Sequence, residues 1–302
     1  MIDFEPVTPK DRSLLVSYIF PGERRDSNLS IVNLCSWQFL TCSSFAIIEG
    51  QLVLRFCFGK DRTVYSLPSS GDNLSAILHC LARQAQEEGL PLSIYGIVPD
   101  LKNMLEPIFP EIFEYRENRD HFDYLYLRSD LAELKGKDFQ TKRNHVNKFR
   151  KRYEFQYMPL TVAIVPDCLK MYEEWCADRR CGEDEGLTYE VQALTYTLNH
   201  FQELGVMGGT LWVDGNMVAF TFGVPVNHDT FCVHAEKALG CFEGAYNTIN
   251  QEFANALPDR FTYLNREEDL GLEGLRKAKL SYRPVRLLEK GLAVCPSNLL
   301  NS

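Results

Sequence analysis

The sequence predicts an α+β protein built from two similar units in tandem. The chain has 302 residues, about twice the commonest domain size. Each half orders its elements as helices, then an antiparallel meander, then further β and α segments, unlike the regular βαβα alternation of a doubly wound sheet. The composition, 45% hydrophobic and 24% charged, is that of a globular chain able to bury a core. No residue-level repeat relates the halves, so the duplication rests on element order.

Asp11 to Tyr18 reads as a short helix, followed by a polar loop and an apolar segment around Trp37. Residues 44–48 and 52–56 flank Glu49–Gly50–Gln51, the signature of a hairpin with a short glycine turn. Leu74, Ile77, Leu78, Leu81, Ala82 and Ala85 recur at helical spacing behind Asp72 and Asn73 as caps, and Gly89 closes the helix. A strand over 92–98, a helix from Asp100 and a strand at Asp123 to Leu127 complete the first unit, placed at 1–130.

The second unit, 131–302, opens with a basic helix whose Phe139, Val146, Phe149 and Tyr153 form one stripe. There follow a strand at 155–165, helices at 167–178 and 189–204, and three strands through Lys237, the first pair turned by Gly215. A helix at 245–256, a strand at Phe261 to Leu264, a helix at about 270–280 and a strand from Val285 end the chain.

Ten cysteines occur without a C-x-x-C pair or Cys/His zinc spacing, and Cys57 and Cys232 lie in apolar strands. Reduced core thiols and no metal are therefore expected, which fits a cytoplasmic protein. The amino terminus lacks the apolar region of a secretory signal. Apolar runs such as Val218 to Val226 fall well short of the roughly 20 residues of a spanning helix.

Net charge is −9, which argues against a chain coated for nucleic acid. Residues 135–152 are the exception, with eight Lys/Arg against the single acid Asp138. This helix suits a phosphate-contacting ridge, or equally an interdomain helix whose charges meet the acidic remainder of the protein.

Two groups of polar residues could carry chemistry. In FTYLNREEDLGLEGLRKAKLSYRP, Asp269 is placed to cap the next helix, with Arg276 and Lys279 on one helical face. Gly271 and Gly274 in its first turns suggest close backbone approach, by a ligand at the helix start or by a packed strand. In FCVHAEK, period two sends His234 and Glu236 to one face and Lys237 to the other. Glu236 could act as a general base or form a buried ion pair. No Walker loop, Rossmann fingerprint, G-x-S-x-G elbow or H-E-x-x-H occurs.

Three segments, DYLYLRSDLAELKGKDFQTKRNHVNKFRKRY, VHAEKALGCFEGAYNTINQEF and YLNREEDLGLEGLRKAKLSYRPVRLLEK, resemble the phosphatidylglycerol lysyltransferase carboxyl-terminal domain family, related to the Fem-type peptidyltransferases. The resemblance implies two GNAT-type (acyl-CoA N-acyltransferase-like) units with mostly antiparallel sheets flanked by helices. It also implies aminoacyl transfer from aminoacyl-tRNA to a lipid or peptide acceptor.

On this reading Glu236 or Asp269 serves as base or ammonium-binding carboxylate, and Arg276 and Lys279 hold phosphate or developing charge. Lys237, Asn265, Arg266 and Gly271 bind substrate, while Lys142, Arg143, Lys148 and Lys151 contact the tRNA backbone. No cofactor is expected. The flippase-like membrane region of full-length lysyltransferases is not in this sequence, which leaves the acceptor open, with a peripheral membrane location compatible. ALGCFEGAY does not reproduce the R/Q-x-x-G-x-G/A pyrophosphate loop of ordinary GNAT enzymes, which disfavours acyl-CoA as donor. An acyl-CoA-dependent N-acyltransferase and an inactive RNA- or protein-binding module are the alternatives. A homodimer is compatible with either but specified by nothing in the chain.

Overall fold

The computed structural model describes residues 1–59, 62–69, 71 and 73–296. The first unit begins with β1 (Glu5–Pro6), α1 (Arg12–Ile19), α2 (Ile31–Ser36) and α3 (Gln38–Thr41). Ser30 starts α2 by accepting the Asn33 amide at 3.1 Å. The hairpin β2 (Ser44–Ile48) and β3 (Gln51–Cys57) turns on only two residues, because Glu49 and Gly50 both take positive φ, 50° and 74°. Then come β4 (Thr63–Ser66), α4 (Leu74–Glu88), β5 (Leu92–Ile97), α5 (Pro99–Leu105) and β6 (Glu114–Glu117). Leu74, Ile77, Leu78, Leu81 and Ala85 are buried, and Gly89 ends α4 in the left-handed region at φ 69°. Asn73 stands at the cap but its side chain bonds Glu49 O, and Asp72 lies outside the described residues. The exposed polar β6 shows no alternation and escapes sequence reading.

The chain continues through β7 (Asp123–Leu127), α6 (Arg128–Glu133), α7 (Gln140–Arg152), β8 (Phe155–Pro159), α8 (Val165–Arg179) and α9 (Glu185–Asn199). The meander β9 (Met207–Val213), β10 (Asn216–Pro225) and β11 (Thr230–Ala238) precedes α10 (Ala245–Ala256) and β12 (Tyr263–Asn265). Helix α11 (Glu273–Leu280) and strands β13 (Arg286–Leu288) and β14 (Gly291–Cys295) follow. Between α8 and α9, Arg180 at φ 53° reverses the chain, and Cys176 pairs with Cys181 as a disulfide at a Cα separation of 5.1 Å. This corrects the expectation of wholly reduced thiols, since a spacing of five residues carries no disulfide signal without that turn.

Among the described residues two seven-stranded sheets result, ordered β1-β2-β3-β4-β5-β14-β6 and β8-β9-β10-β11-β12-β7-β13. They match position by position. In each, four strands run antiparallel, the fifth joins in parallel, and the last two return antiparallel. The duplication inferred from element order is thus a duplication of topology, in the α+β arrangement of tandem GNAT-like units.

The sixth position of each sheet is filled from the other half of the chain. Strand β7, read from sequence as the end of the first unit, pairs with β12 and β13, while β14 from the carboxyl end enters between β5 and β6. Both strands are buried on nearly every residue, a pattern that does not encode which sheet they join, so only packing decides the exchange.

A buried ion pair ties the exchanged strands. Lys290, just ahead of β14, places Nζ 2.7 Å from Asp123 at the start of β7, and both side chains are fully buried. Lys290 also donates to Asn28 at 2.6 Å, while Asp123 accepts from the Ser27 amide at 2.7 Å and from Asn265 at 2.9 Å. The two sheets also share one core, in which Leu52, Leu54 and Val64 join Phe220, Phe222 and Val224. Among the described residues, no helix is long and apolar enough to cross a membrane.

Candidate functional site

Strands β11 and β12 pair in parallel only over Thr230–Cys232 and Tyr263–Asn265. Beyond that point they part, leaving a fork whose prongs are the end of β11 and the segment after Asn265. At the fork β11 carries a bulge, for Phe222 of β10 pairs with Ala235 while Gly223 pairs with Val233, leaving His234 as the extra residue. Glycine is required opposite the bulge, because a Cβ on Gly223 would lie 1.8 Å from Cys232 O.

The bulge breaks the period of two. Glu236 turns to α10, where Asn250 Nδ2 donates to it at 2.9 Å, whereas His234 donates Nδ1–H across the fork to Glu267 at 2.8 Å. Lys237 faces α8 and α9, its Nζ 2.7 Å from Glu190 and 4.1 Å from the Trp175 ring centroid. Burial lowers the Lys237 pKa despite that carboxylate.

A second rung crosses the fork, with Arg266 Nη2 donating to Glu236 Oε1 at 2.9 Å. The guanidinium lies 4.9 Å from the Tyr282 ring centroid and 5.6 Å from that of Tyr126. Asn247 of α10 donates to the Tyr282 hydroxyl at 2.5 Å, and Lys142 of α7 sits 4.3 Å from the centre of that ring. Burial and the neighbouring Arg266 charge both lower the Lys142 pKa. Two buried atoms beside Glu236 have no partner among the described residues, the donor Arg266 Nη1 and the acceptor Asn250 Oδ1. Buried polar atoms are almost always paired, so this donor and acceptor are the candidate ligand contacts of the fork.

The other sequence-derived residues form the frame. Asp269 does not cap α11, which begins four residues later at Glu273; it is buried and accepts from Arg276 at 2.7 and 2.9 Å, from Arg119 at 3.2 Å and from Tyr124. Burial raises its pKa, but the Arg276, Tyr124 and Gly271 hydrogen bonds outweigh it and hold the carboxyl well below the usual range. Arg276 is shared between Asp269 and Asp120, the latter at 2.6 Å. Gly271, at φ 75°, is needed because a Cβ would come 2.9 Å from the Asp120 carboxylate; the close approach is by protein.

Lys279 points inward to the carbonyls of Arg266 and Glu267, and burial with the Arg266 charge lowers its pKa to about 8. Asn265 is fully buried and donates to Arg25 O at 2.6 Å and to Asp123. On α7 the stripe Phe139, Val146 and Phe149 is buried as expected. Arg143 binds Leu134 O and Gly136 O, Lys148 pairs with Glu243 at 2.7 Å, Arg150 pairs with Glu252, and Lys151 is exposed.

Cys232, His234 and Glu267 offer metal-ligand atoms within 4.8 Å of one another. The donor set does not suit an ion, because Nδ1 already donates to Glu267, whose Oε1 also accepts from Asn33 at 2.9 Å. Burial moreover pushes the Cys232 thiol well above its ordinary pKa. Sequence reasoning missed the His234–Glu267 pair, Asn250, Tyr126 and Tyr282. Asn247 and Asn250, three apart on one face of α10, were the available signal.

The fold recurs in solved proteins. A conserved protein of unknown function from Bacteroides thetaiotaomicron is 47% identical, with a TM-score of 0.94 over 98% of this chain and 100% of that one. The L-PGS structure from Bacillus licheniformis is 17% identical with a TM-score of 0.65, covering 98% of this chain and 94% of that one. FemX is 10% identical with a TM-score of 0.58, covering 99% of both chains. An uncharacterized protein of Mycoplasmoides gallisepticum is 22% identical over 174 residues, 56% of this chain and 55% of that one, so the chain spans about half the length of this curated relative. The family model for the C-terminal region of phosphatidylglycerol lysyltransferase matches residues 21–294, and the chain belongs to that transferase family.

Proposed function

We propose that this chain transfers an aminoacyl group from aminoacyl-tRNA to an amine or hydroxyl acceptor, at the fork between β11 and β12. The observation that carries the reading is the open pair beside Glu236, Arg266 Nη1 as donor and Asn250 Oδ1 as acceptor. An aminoacyl ester presents the complement, a carbonyl oxygen for the guanidinium and an α-ammonium for the amide oxygen. Negative charge that grows on the carbonyl oxygen during attack would be met by a guanidinium already fixed by Glu236 and two aromatic rings. The ester is already activated, so positioning and proton removal are what remain for the protein.

Helix α7 supports tRNA over acyl-CoA. It reaches the fork through Lys142 and extends outward through the exposed Lys151 and through Lys148 and Arg150, whose exposed ion pairs are weak enough to exchange for phosphates. The start of α10, whose amides would be the place for a pyrophosphate, is covered by α7: a Cβ on Gly244 would lie 2.5 Å from His145 O. Leu272, just ahead of α11, and Leu275 and Leu280 within it are exposed, apolar surface suited to an acceptor with an apolar body, as in a lipid.

The test is equilibrium binding to aminoacylated tRNA over a salt series, with acetyl-CoA titrated in parallel. Salt-dependent tRNA binding, with a slope reduced by about 0.7–0.9 for each phosphate contact removed in Lys148→Glu or Lys151→Glu, is the expected result. Binding of acetyl-CoA without tRNA would overturn the donor assignment.

A further inference from the structure

We infer that His234 is the proton acceptor of the transfer reaction, with Glu267 as its positioning residue, an inference that rests on the function proposed above. The carboxylates singled out from sequence are both occupied. Glu236 is held by Arg266 and Asn250, and Asp269 by two arginines, a tyrosine and a backbone amide. His234 is differently placed. Its side chain is 5% exposed, and Nδ1 lies 2.8 Å from Glu267 Oε1, a group that can only accept. In the neutral ring this puts the proton on Nδ1 and leaves a lone pair on Nε2.

Nε2 is buried and has no partner among the described residues. Leaving a buried acceptor unsatisfied costs about 1–3 kcal/mol, and such an atom is accounted for when a ligand supplies the missing donor. The surrounding construction holds the ring in this orientation. Asn33 of α2 donates to the same Glu267 oxygen at 2.9 Å, Cys232 Sγ lies 3.9 Å from Nδ1, and the bulge places His234 itself at the fork. The His234–Glu267 and Glu236–Arg266 rungs are successive bridges between the same two prongs, the first on the α2 side of the sheet and the second on the α10 side, so base and oxyanion donor flank the fork from its two sides.

In the step itself, Nε2 takes the O–H or N–H proton of the acceptor as that heteroatom bonds to the ester carbonyl carbon. Collapse of the tetrahedral species breaks the bond to the ribose oxygen, and the proton on Nε2 passes to that leaving oxygen. The Glu267 carboxylate stabilises the imidazolium that exists between the two transfers.

The test uses the full chain with radiolabelled lysyl-tRNA and alanyl-tRNA as donors, and phosphatidylglycerol vesicles or a lysine-containing peptide as acceptors. His234→Gln is expected to lower transfer by about 10²–10⁴-fold with tRNA binding unchanged. Glu267→Gln is expected to lower kcat with the KM for aminoacyl-tRNA unchanged, because a neutral amide no longer stabilises the imidazolium formed between the two proton transfers. A purely structural role would not separate kcat from KM in this way, and the second variant keeps the test decisive if His234→Gln does not fold. Transfer by His234→Gln within about threefold of wild type, or an unchanged kcat in Glu267→Gln, overturns the inference while leaving the aminoacyltransferase reading intact. Failure of the wild-type protein both to bind tRNA and to transfer overturns the two together.

Discussion

Replacing Lys290 by Met tests whether the exchanged strands depend on their buried ion pair. The lysine ammonium is the partner of Asp123, and the substitution leaves that fully buried carboxylate facing Glu268 without a cation. Breaking a buried pair by removing one member costs about 3–5 kcal/mol. At about 2.1 cal/mol/K of unfolding entropy per residue, a 302-residue chain loses about 1.6 °C per kcal/mol, so the melting temperature should fall by about 5–8 °C. Differential scanning calorimetry measures this directly. The companion Lys290→Met/Asp123→Asn removes the stranded charge and should recover part of the loss. The Lys290 pKa adds a second readout, since the charges of Asp123 and Glu268 outweigh burial and raise it well above its ordinary value. That contribution is complete below the unfolded value of about 10.4 and is lost as pH climbs through the folded one, so the variant should show a weaker stability loss in alkali. A melting temperature within about 1 °C of wild type, or a double variant that loses the sum of the two single losses, would refute the reasoning.

Asp269→Asn should destabilise by about 2–3 kcal/mol in urea titration without changing tRNA affinity, because its carboxylate is engaged by protein donors rather than presented to ligand. Its folded pKa lies below the unfolded value, so its contribution is present at neutral pH and disappears as pH falls through the folded pKa; the variant should show less acid-dependent loss. Gly223→Ala should cost about 1–3 kcal/mol by forcing the backbone away from Cys232 O, and should disturb His234 resonances in NMR spectra. Arg266→Gln should reduce transfer by about 10²–10³-fold while circular dichroism stays native, since it removes the open donor beside Glu236.

Much of the fold was legible in the sequence. Period-3.6 apolar spacing located α4 and the buried stripe of α7, and the glycine turns at 50 and 215 located their hairpins, because these signals are local and each residue votes for the same conformation. The site was legible only in part. FCVHAEK and LNREED were recognised as polar groupings, and Glu236 and Arg266 do meet at the fork. Asp269 and Arg276 carry the same residue chemistry and pair with each other, and nothing in their spacing announces that pairing.

The sequence by itself determined the α+β class, the two-unit organisation, the family and the cationic character of one helix, all consequences of short-range pattern or of motifs read whole. The tertiary structure alone decided which sheet each of β7 and β14 enters, where the bulge falls in β11 and which side chains face one another across the fork. Those outcomes depend on partners up to hundreds of residues apart, as with Lys290 and Asn28. A strand buried on nearly every residue presents the same pattern to any edge that can bury it, so the choice among edges is made by the packing energy of the completed core and not by the strand.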